Sequence, residues 1–169
     1  MSKPRIVLVG PPGAGKTTVG RRLASTLSLQ FVDTDQLIEE QYGTACGEVF
    51  SSLGEEQFRV AERAQVKKAL AGSGVVSVGG GAVTTEETRE LFADHTVVWL
   101  DVSDEVGFSR TSAAGTRPVL EADDPQKHYA ELLASRRDWY REVSTYHVGT
   151  DGKRPSALVA EILELISRD

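Results

Sequence analysis

Only one cysteine, Cys46, occurs in the chain, so no disulfide can close within it, in agreement with a reducing compartment. Cys46 lies in Thr44-Ala45-Cys46-Gly47 with no second thiol and no histidine near it in sequence. It reads as an ordinary small apolar residue, a reactive thiol being the alternative. Long apolar runs are also missing. No window approaches the roughly 18 consecutive apolar residues that a spanning helix needs. The stretch Ile6 to Val9 is too short for the core of a secretory signal, so neither export nor a membrane partner is expected. Positive charge is scarce: 19 Lys and Arg face 25 Asp and Glu, for a formal charge of -6. Such a surface repels a polyanionic backbone, so nucleic acid is not an expected partner. Arginines that converge in this chain are better explained as a pocket for a small anion.

What remains is a soluble composition, 40% hydrophobic and 26% charged, in 169 residues. That length suits one domain, residues 1–169, and is too short for two good cores. No internal repeat and no linker interrupt it. Short β-branched runs alternate with helical periods. Arg5 to Val9 reads as a buried strand, and Val19, Leu23 and Leu27 give a helix from about Lys16 to Leu27. Phe31-Val32 forms a second strand leading into a helix through Leu37 and Ile38. Glu55 to Leu70 is helical, and Val75 to Val78 is a third strand. Thr84 or Thr85 caps a helix through Leu91, Thr84 with Glu87 matching a capping box. Thr96 to Leu100 is the clearest strand, and Ser103 to Arg110 follows as helix. A long helix spans about Pro125 to Ser144, a short strand lies near Tyr146 to Val148, and Pro155 opens a last amphipathic helix. This alternation predicts an α/β fold with a mostly parallel sheet covered on both faces.

Gly10 to Thr17 reads Gly-Pro-Pro-Gly-Ala-Gly-Lys-Thr and matches G-x-x-x-x-G-K-[ST] between a predicted strand and a predicted helix. The backbone N–H groups of such a loop, Gly13, Ala14, Gly15, Lys16, Thr17 and Thr18 among them, can surround phosphate oxygens at a helix amino terminus. Lys16 is expected to reach the β- and γ-phosphates of ATP, and the Thr17 hydroxyl to take a Mg²⁺ position. Asp33-Thr34-Asp35 closes the second strand. Ligands of open α/β sheets sit at the carboxyl ends of strands, and residues two apart on an extended stretch point the same way. One carboxylate is then available to Mg²⁺ through water and the other to a substrate hydroxyl. The alternative is a solvated strand end, with Thr34 or Asp35 capping the next helix.

Gly79-Gly80-Gly81 follows the third strand. Three glycines in a row cost backbone entropy and fill a core poorly, but they suit a ligand lying on the main chain. Arg59, Arg110, Arg117, Arg136 and Arg154 are, by spacing alone and taken one at a time, read first as solvated charges, with a planar fork matched to carboxylate or phosphate as the alternative. Arg137 reads as surface. Tyr129, Leu132, Leu133, Trp139, Tyr140 and Val143 recur at three and four, a core-facing stripe rather than an aromatic cage. Ser112 to Asp124 has little periodicity and carries Arg117-Pro118, which makes it the natural closing segment over a site that must exclude water.

Taken together, the P-loop, Asp33-Thr34-Asp35, Phe58-Arg59, Gly79-Gly80-Gly81, Thr116-Arg117-Pro118 and Arg136 before Tyr140 resemble the shikimate kinase family in order and spacing, over nearly the whole chain. The resemblance implies a three-layer α/β/α P-loop kinase domain with a five-stranded parallel sheet ordered 2-3-1-4-5. It also implies a substrate-binding region near residues 34–60 and a lid near residues 112–124. The implied reaction is transfer of the ATP γ-phosphate to the 3-hydroxyl of shikimate, with ATP and Mg²⁺ as cofactors, in a cytoplasmic monomer serving chorismate and aromatic amino acid synthesis. By the same likeness Arg59 and Arg136 grip the substrate carboxylate, Gly79, Gly80 and Gly81 line its pocket, and Asp35 holds the ring hydroxyls. Lys16, Asp35 and Arg117 are then catalytic, Asp33 joins Thr17 at Mg²⁺, and Arg110 with Pro155 packs about adenine, Arg154 being a further contact. Departures from the family pattern are a loosely defined adenine end at Gly149 to Pro155 and Cys46-Gly47 where bulkier or polar helix formers are usual. The competing readings are another short P-loop kinase, acting for example on gluconate, and a non-catalytic ATP-binding module.

Overall fold

The computed structural model describes residues 3–114 and 124–168. Arg117 and most of the predicted closing segment fall outside the described residues. Five parallel strands form one sheet in the order β2-β3-β1-β4-β5: β1 Ile6–Val9, β2 Phe31–Asp33, β3 Val75–Ser77, β4 Val97–Asp101 and β5 Tyr146–Gly149. The 2-3-1-4-5 order is the one expected. Helices connect the strands: α1 Lys16–Leu27, α2 Thr34–Tyr42, α3 Cys46–Leu53, α4 Glu55–Leu70, α5 Glu86–Glu90, α6 Asp104–Ala114, α7 Pro125–Val143 and α8 Pro155–Ser167.

All four residues of β1 are buried, because a central parallel strand is covered on both faces. Their alternation divides the core. Ile6 and Leu8 pack with Val19 and Leu23 of α1 and with Leu158, Ile162 and Ile166 of α8. Val7 and Val9 face the other way, against Val66 and Leu70 of α4 and Tyr140 of α7, with Trp99 of β4 beside them. A third, smaller cluster of Ile38, Val49 and Phe58, with Cys46, Phe50 and Leu53 against it, joins α2, α3 and α4. It is the core of the predicted substrate-binding region.

Two local expectations change, and the unusual Cys46-Gly47 pair proves compatible with a helix. Helix α3 forms from Cys46 onward even with Gly47 in its first turn, since Val49 of its apolar face is buried. The Thr84–Glu87 capping box does not form. Ala82–Thr84 is instead a 3-10 turn in which the Thr84 hydroxyl donates to the Gly81 carbonyl at 2.7 Å, and Thr85 takes the N-cap position of α5. Helix α6 continues past Arg110 to Ala114.

The amino ends of the strands are tied at Gly74. Its φ is +92°, its carbonyl accepts from Arg5 N at 2.7 Å, and a Cβ there would collide with the Gln30 carbonyl oxygen. Replacing Gly74 with Ala should therefore cost about 2–4 kcal/mol from the left-handed conformation and the backbone clash together. Urea denaturation should show a lower midpoint with an unchanged m value, and an unchanged midpoint would contradict this account of the strand ends.

Candidate active site

Glycine carries the chain from β1 into α1. Gly15, at φ +91°, is the N-cap of α1, a conformation in which any side chain would be strained. The turn is closed by Ala14 N donating to the Pro11 carbonyl at 3.2 Å. Helix geometry leaves the first-turn N–H groups, those of Lys16, Thr17 and Thr18, without intrahelical partners and directed at the mouth of the loop. Lys16 is half-buried, and its Nζ donates to the Gly10 carbonyl at 2.7 Å and the Pro11 carbonyl at 3.1 Å, so the ammonium is held over the loop. Arg110 of α6 reaches the same loop, Nη1 donating to the Gly13 carbonyl at 3.1 Å. Arg154 and Pro155 lie at the N-cap and first position of α8, with Arg154 exposed.

The two aspartates come together for a different reason than alternation along a strand. Asp33 ends β2 and is the N-cap of α2, its Oδ1 accepting from Asp35 N at 2.9 Å, while Asp35 already belongs to the first helical turn. The capping role thus belongs to Asp33, not to Thr34 or Asp35. Asp33 Oδ2 also accepts from the Thr17 hydroxyl at 3.4 Å, which links the second strand end to the P-loop. The buried Thr34 hydroxyl accepts from Gly79 N at 3.1 Å.

Asp35 turns toward the glycine strip. A Cβ on Gly79 would collide with the Asp35 carboxylate, and one on Gly81 with the Arg59 guanidinium. A Cβ on Gly80 would lie 2.9 Å from Pro12 Cδ and 3.3 Å from the Gly10 carbonyl oxygen. The strip is glycine because two charged side chains and the P-loop all press on its main chain. Arg59 is largely covered, with Phe58 and Phe50 rings 5.4 and 5.8 Å from its guanidinium carbon. Its Nη1 donates to Glu62 Oε1 at 2.8 Å.

Glu62 is a site residue that the sequence reading missed. It is buried, pairs with Arg59 one turn earlier on α4, and feels both Asp35 and Arg136. Burial pushes its carboxyl up to about 7 against the pull of Arg59, with the neighbouring Asp35 adding to the rise. The available signal was its i, i+3 spacing from Arg59 on the face that buries Phe58 and Ala61. Arg136, half-buried on α7, acts by charge on both Glu62 and the Tyr140 phenol. Arg137 points elsewhere, donating to both Asp101 oxygens at 3.1 and 3.4 Å. Cys46 packs in the third cluster, and its Sγ donates to Asp35 Oδ1 at 3.8 Å. Burial, then Asp35, pushes that thiol up, so it stays protonated.

The carboxyl ends of β1, β2 and β3 thus bring together an ammonium on a phosphate-type loop, a carboxylate pair, and two guanidiniums about a buried glutamate. A family model described as shikimate kinase matches residues 12–167. The shikimate kinase of Corynebacterium efficiens is 56% identical over 169 residues, 100% of each chain. A solved structure of shikimate kinase from Acinetobacter baumannii in complex with shikimate superposes with a TM-score of 0.91 at 36% identity, covering 99% of this chain and 94% of that one. A gluconokinase from Sinorhizobium meliloti superposes with a TM-score of 0.61 at 19% identity, over 98% and 93% of the two chains, which is a likeness of fold alone.

Glu62 makes a prediction about stability against pH. Its carboxyl holds a proton in the folded chain up to about pH 7, where an unfolded glutamate, at 4.5, has already lost it. The contribution to stability is therefore full below the unfolded value and is lost as pH rises through 7, on the order of 3 kcal/mol in all. Urea midpoints of the wild type and Glu62→Gln, taken from pH 5 to 8, should diverge, the wild type alone losing this increment. Parallel curves would show that Glu62 titrates normally.

Proposed function

The chain belongs to the shikimate kinase family, and from that premise we propose how its own residues divide the transfer of the ATP γ-phosphate to the 3-hydroxyl of shikimate. The observation that carries the reading is the glycine strip, which has the Asp35 carboxylate against Gly79, the Arg59 guanidinium against Gly81 and the P-loop against Gly80. A small acid with hydroxyls at one end fits such a cleft in one orientation. Its carboxylate meets Arg59 and Arg136, and its hydroxyls meet Asp35, next to the phosphate loop.

Phosphoryl transfer through a loose transition state needs positioning and charge stabilisation more than covalent chemistry. The N–H groups from Gly13 to Thr18 and the Lys16 ammonium hold the phosphates of ATP. Asp35 orients the acceptor hydroxyl and takes its proton in or after the transition state. Arg110 and Pro155 border adenine, with Arg154 at the rim, and Arg117 meets the transferring phosphate. Mg²⁺ fits the donors present, because the Thr17 hydroxyl and the Asp33 carboxylate offer hard oxygens side by side. These two residues would hold the ion, which when bound neutralises charge on the phosphates.

Glu62 has a part in this scheme that likeness alone did not supply. It fixes the Arg59 fork in place, yet its charge opposes an incoming carboxylate, and its protonation near neutrality relieves that opposition. We further propose a cytoplasmic monomer. The monomer rests on family likeness alone; beside the cytoplasmic location stand one cysteine in the chain and, among the described residues, no helix long and apolar enough to cross a membrane.

Steady-state kinetics of point variants test the division of labour. Asp35→Asn should lower kcat by a factor of roughly 10² or more while ATP binding persists. Arg59→Ala and Arg136→Ala should each weaken shikimate binding by on the order of 2 kcal/mol, with some loss of kcat, because remote binding energy aligns the hydroxyl. Arg137→Ala should leave the shikimate KM nearly unchanged, since its partner is Asp101. Near-normal kcat for Asp35→Asn, or a larger shikimate defect for Arg137→Ala than for Arg136→Ala, would overturn the assignment. A second measurement concerns the P-loop: Lys16→Ala should abolish shikimate-dependent ADP release, and retained turnover would remove the kinase reading altogether.

A further inference from the structure

Two tyrosines of α7, Tyr129 and Tyr140, are buried to 0% and 2% exposure, yet both phenols end on main-chain carbonyls of the site loops. Tyr129 Oη donates to the Pro12 carbonyl of the P-loop at 2.5 Å. Tyr140 Oη donates to the Gly80 carbonyl at 2.7 Å. Eleven residues, three helical turns, separate them, so they share a face of α7 and stand about 16 Å apart along its axis. A helix is a stiff spacer, and the carboxyl-terminal part of this one is anchored to the sheet, where Tyr140 stacks on Trp99 with ring centroids 6.0 Å apart.

The surroundings are shaped for these two contacts. A Cβ on Gly107 would collide with the Tyr129 phenol, so α6 is notched where the ring passes through to Pro12. The Gly107 carbonyl oxygen occupies the space where a Cβ on Gly13 would fall, which ties α6 to the same loop. At the other end Tyr140 lies one turn after Arg136, whose positive charge acts on the phenol. The two loops also touch each other directly, through Gly80 and Pro12. Burial pushes both phenols above their ordinary value, Tyr140 to about 12, so both remain O–H donors throughout the working range.

We propose that Tyr129 and Tyr140 are positioning residues, and that α7 is a strut whose two phenols hold the phosphate loop and the glycine strip at a set spacing and so fix the gap between the γ-phosphate and the acceptor hydroxyl. This rests on the kinase reading above, and it adds that the two substrate sites are spaced by a common element outside both. The strut reaches the reaction only through the loops it holds, so neither phenol touches substrate.

The test is a double-mutant cycle with Tyr129→Phe, Tyr140→Phe and the double variant, using shikimate-dependent ADP release and separate titrations of ATP and shikimate. Each single variant should lose kcat roughly tenfold, because misplacement of reacting groups by a fraction of an ångström is expensive in rate. Tyr140→Phe should raise the shikimate KM with the ATP KM nearly unchanged, and Tyr129→Phe should do the reverse. Once either end is released the other no longer sets the spacing, so the double variant should lose little more kcat than the worse single one. Multiplying losses would mean two independent local effects and would overturn the strut, as would single variants within twofold of wild-type kcat. If Tyr129→Phe does not fold, Tyr140→Phe decides alone: equal rises in both KM values, or none, reject the proposal. Absence of shikimate-dependent ADP release in the wild-type chain would instead reject the kinase reading itself.

Discussion

The parallel pairing of β1 with both β3 and β4 is the constraint on which the rest of the molecule depends. It makes the P-loop and the glycine strip leave the sheet at the same edge, side by side. The pairing extends past the strand itself, since Val78 N still donates to the Leu8 carbonyl at 3.0 Å immediately before Gly79. Beyond that point the two loops press on each other at Gly80 and Pro12. With β2 added in parallel beyond β3, Asp33 and Asp35 arrive at the same edge. An order that separated β1, β2 and β3 would scatter these groups along the sheet, whereas their adjacency gathers them at the carboxyl ends of the strands.

Electrostatics then act on what topology has gathered. In a chain with a net charge of -6, Arg59 and Arg136 both act on Glu62 beside the glycine strip. Lys16 stands on the P-loop that touches the same strip, a local gathering of positive charge that suits a small anion. Arg59, largely covered by aromatic rings, needs an acceptor for its guanidinium, and Glu62 Oε1 takes its Nη1 at 2.8 Å. The same glutamate sits near Asp35 and is itself strained by burial, so its proton is shared between structural and functional demands. A carboxylate held near neutrality beside an arginine is a feature that active sites use and ordinary surface ion pairs do not.

Much of the fold was legible because it is written in short periods. Short apolar runs rich in β-branched or aromatic residues marked all five strands, and Val19, Leu23 and Leu27 marked α1 within the bounds observed. The strand order came with the family likeness rather than with any period. Local rules failed where a residue had two competing uses. Thr84 has the sequence of a cap but serves a 3-10 turn, because its hydroxyl finds the Gly81 carbonyl first. Asp33 and Asp35 were paired by an alternation argument, whereas a helix cap is what joins them. Tyr129 and Tyr140 belong to the core stripe as read, but nothing in a three-and-four spacing says where a phenol oxygen will end.

By itself the sequence determined the phosphate loop, for a physical reason: its conformation is made within eight consecutive residues, by glycine dihedrals and the amino end of the helix that follows. It likewise marked arginine as the residue type that could serve an anion, because its planar fork matches carboxylate and phosphate. Only the tertiary structure decided which of those groups meet. Glu62 becomes a site residue because α4 packs over the glycine strip, and Arg137 is excluded because the helix turns it to Asp101. The phenol contacts join residues 117 and 60 positions apart. Contacts of that span depend on how strands and helices stack rather than on neighbours in the chain, so no local pattern encodes them.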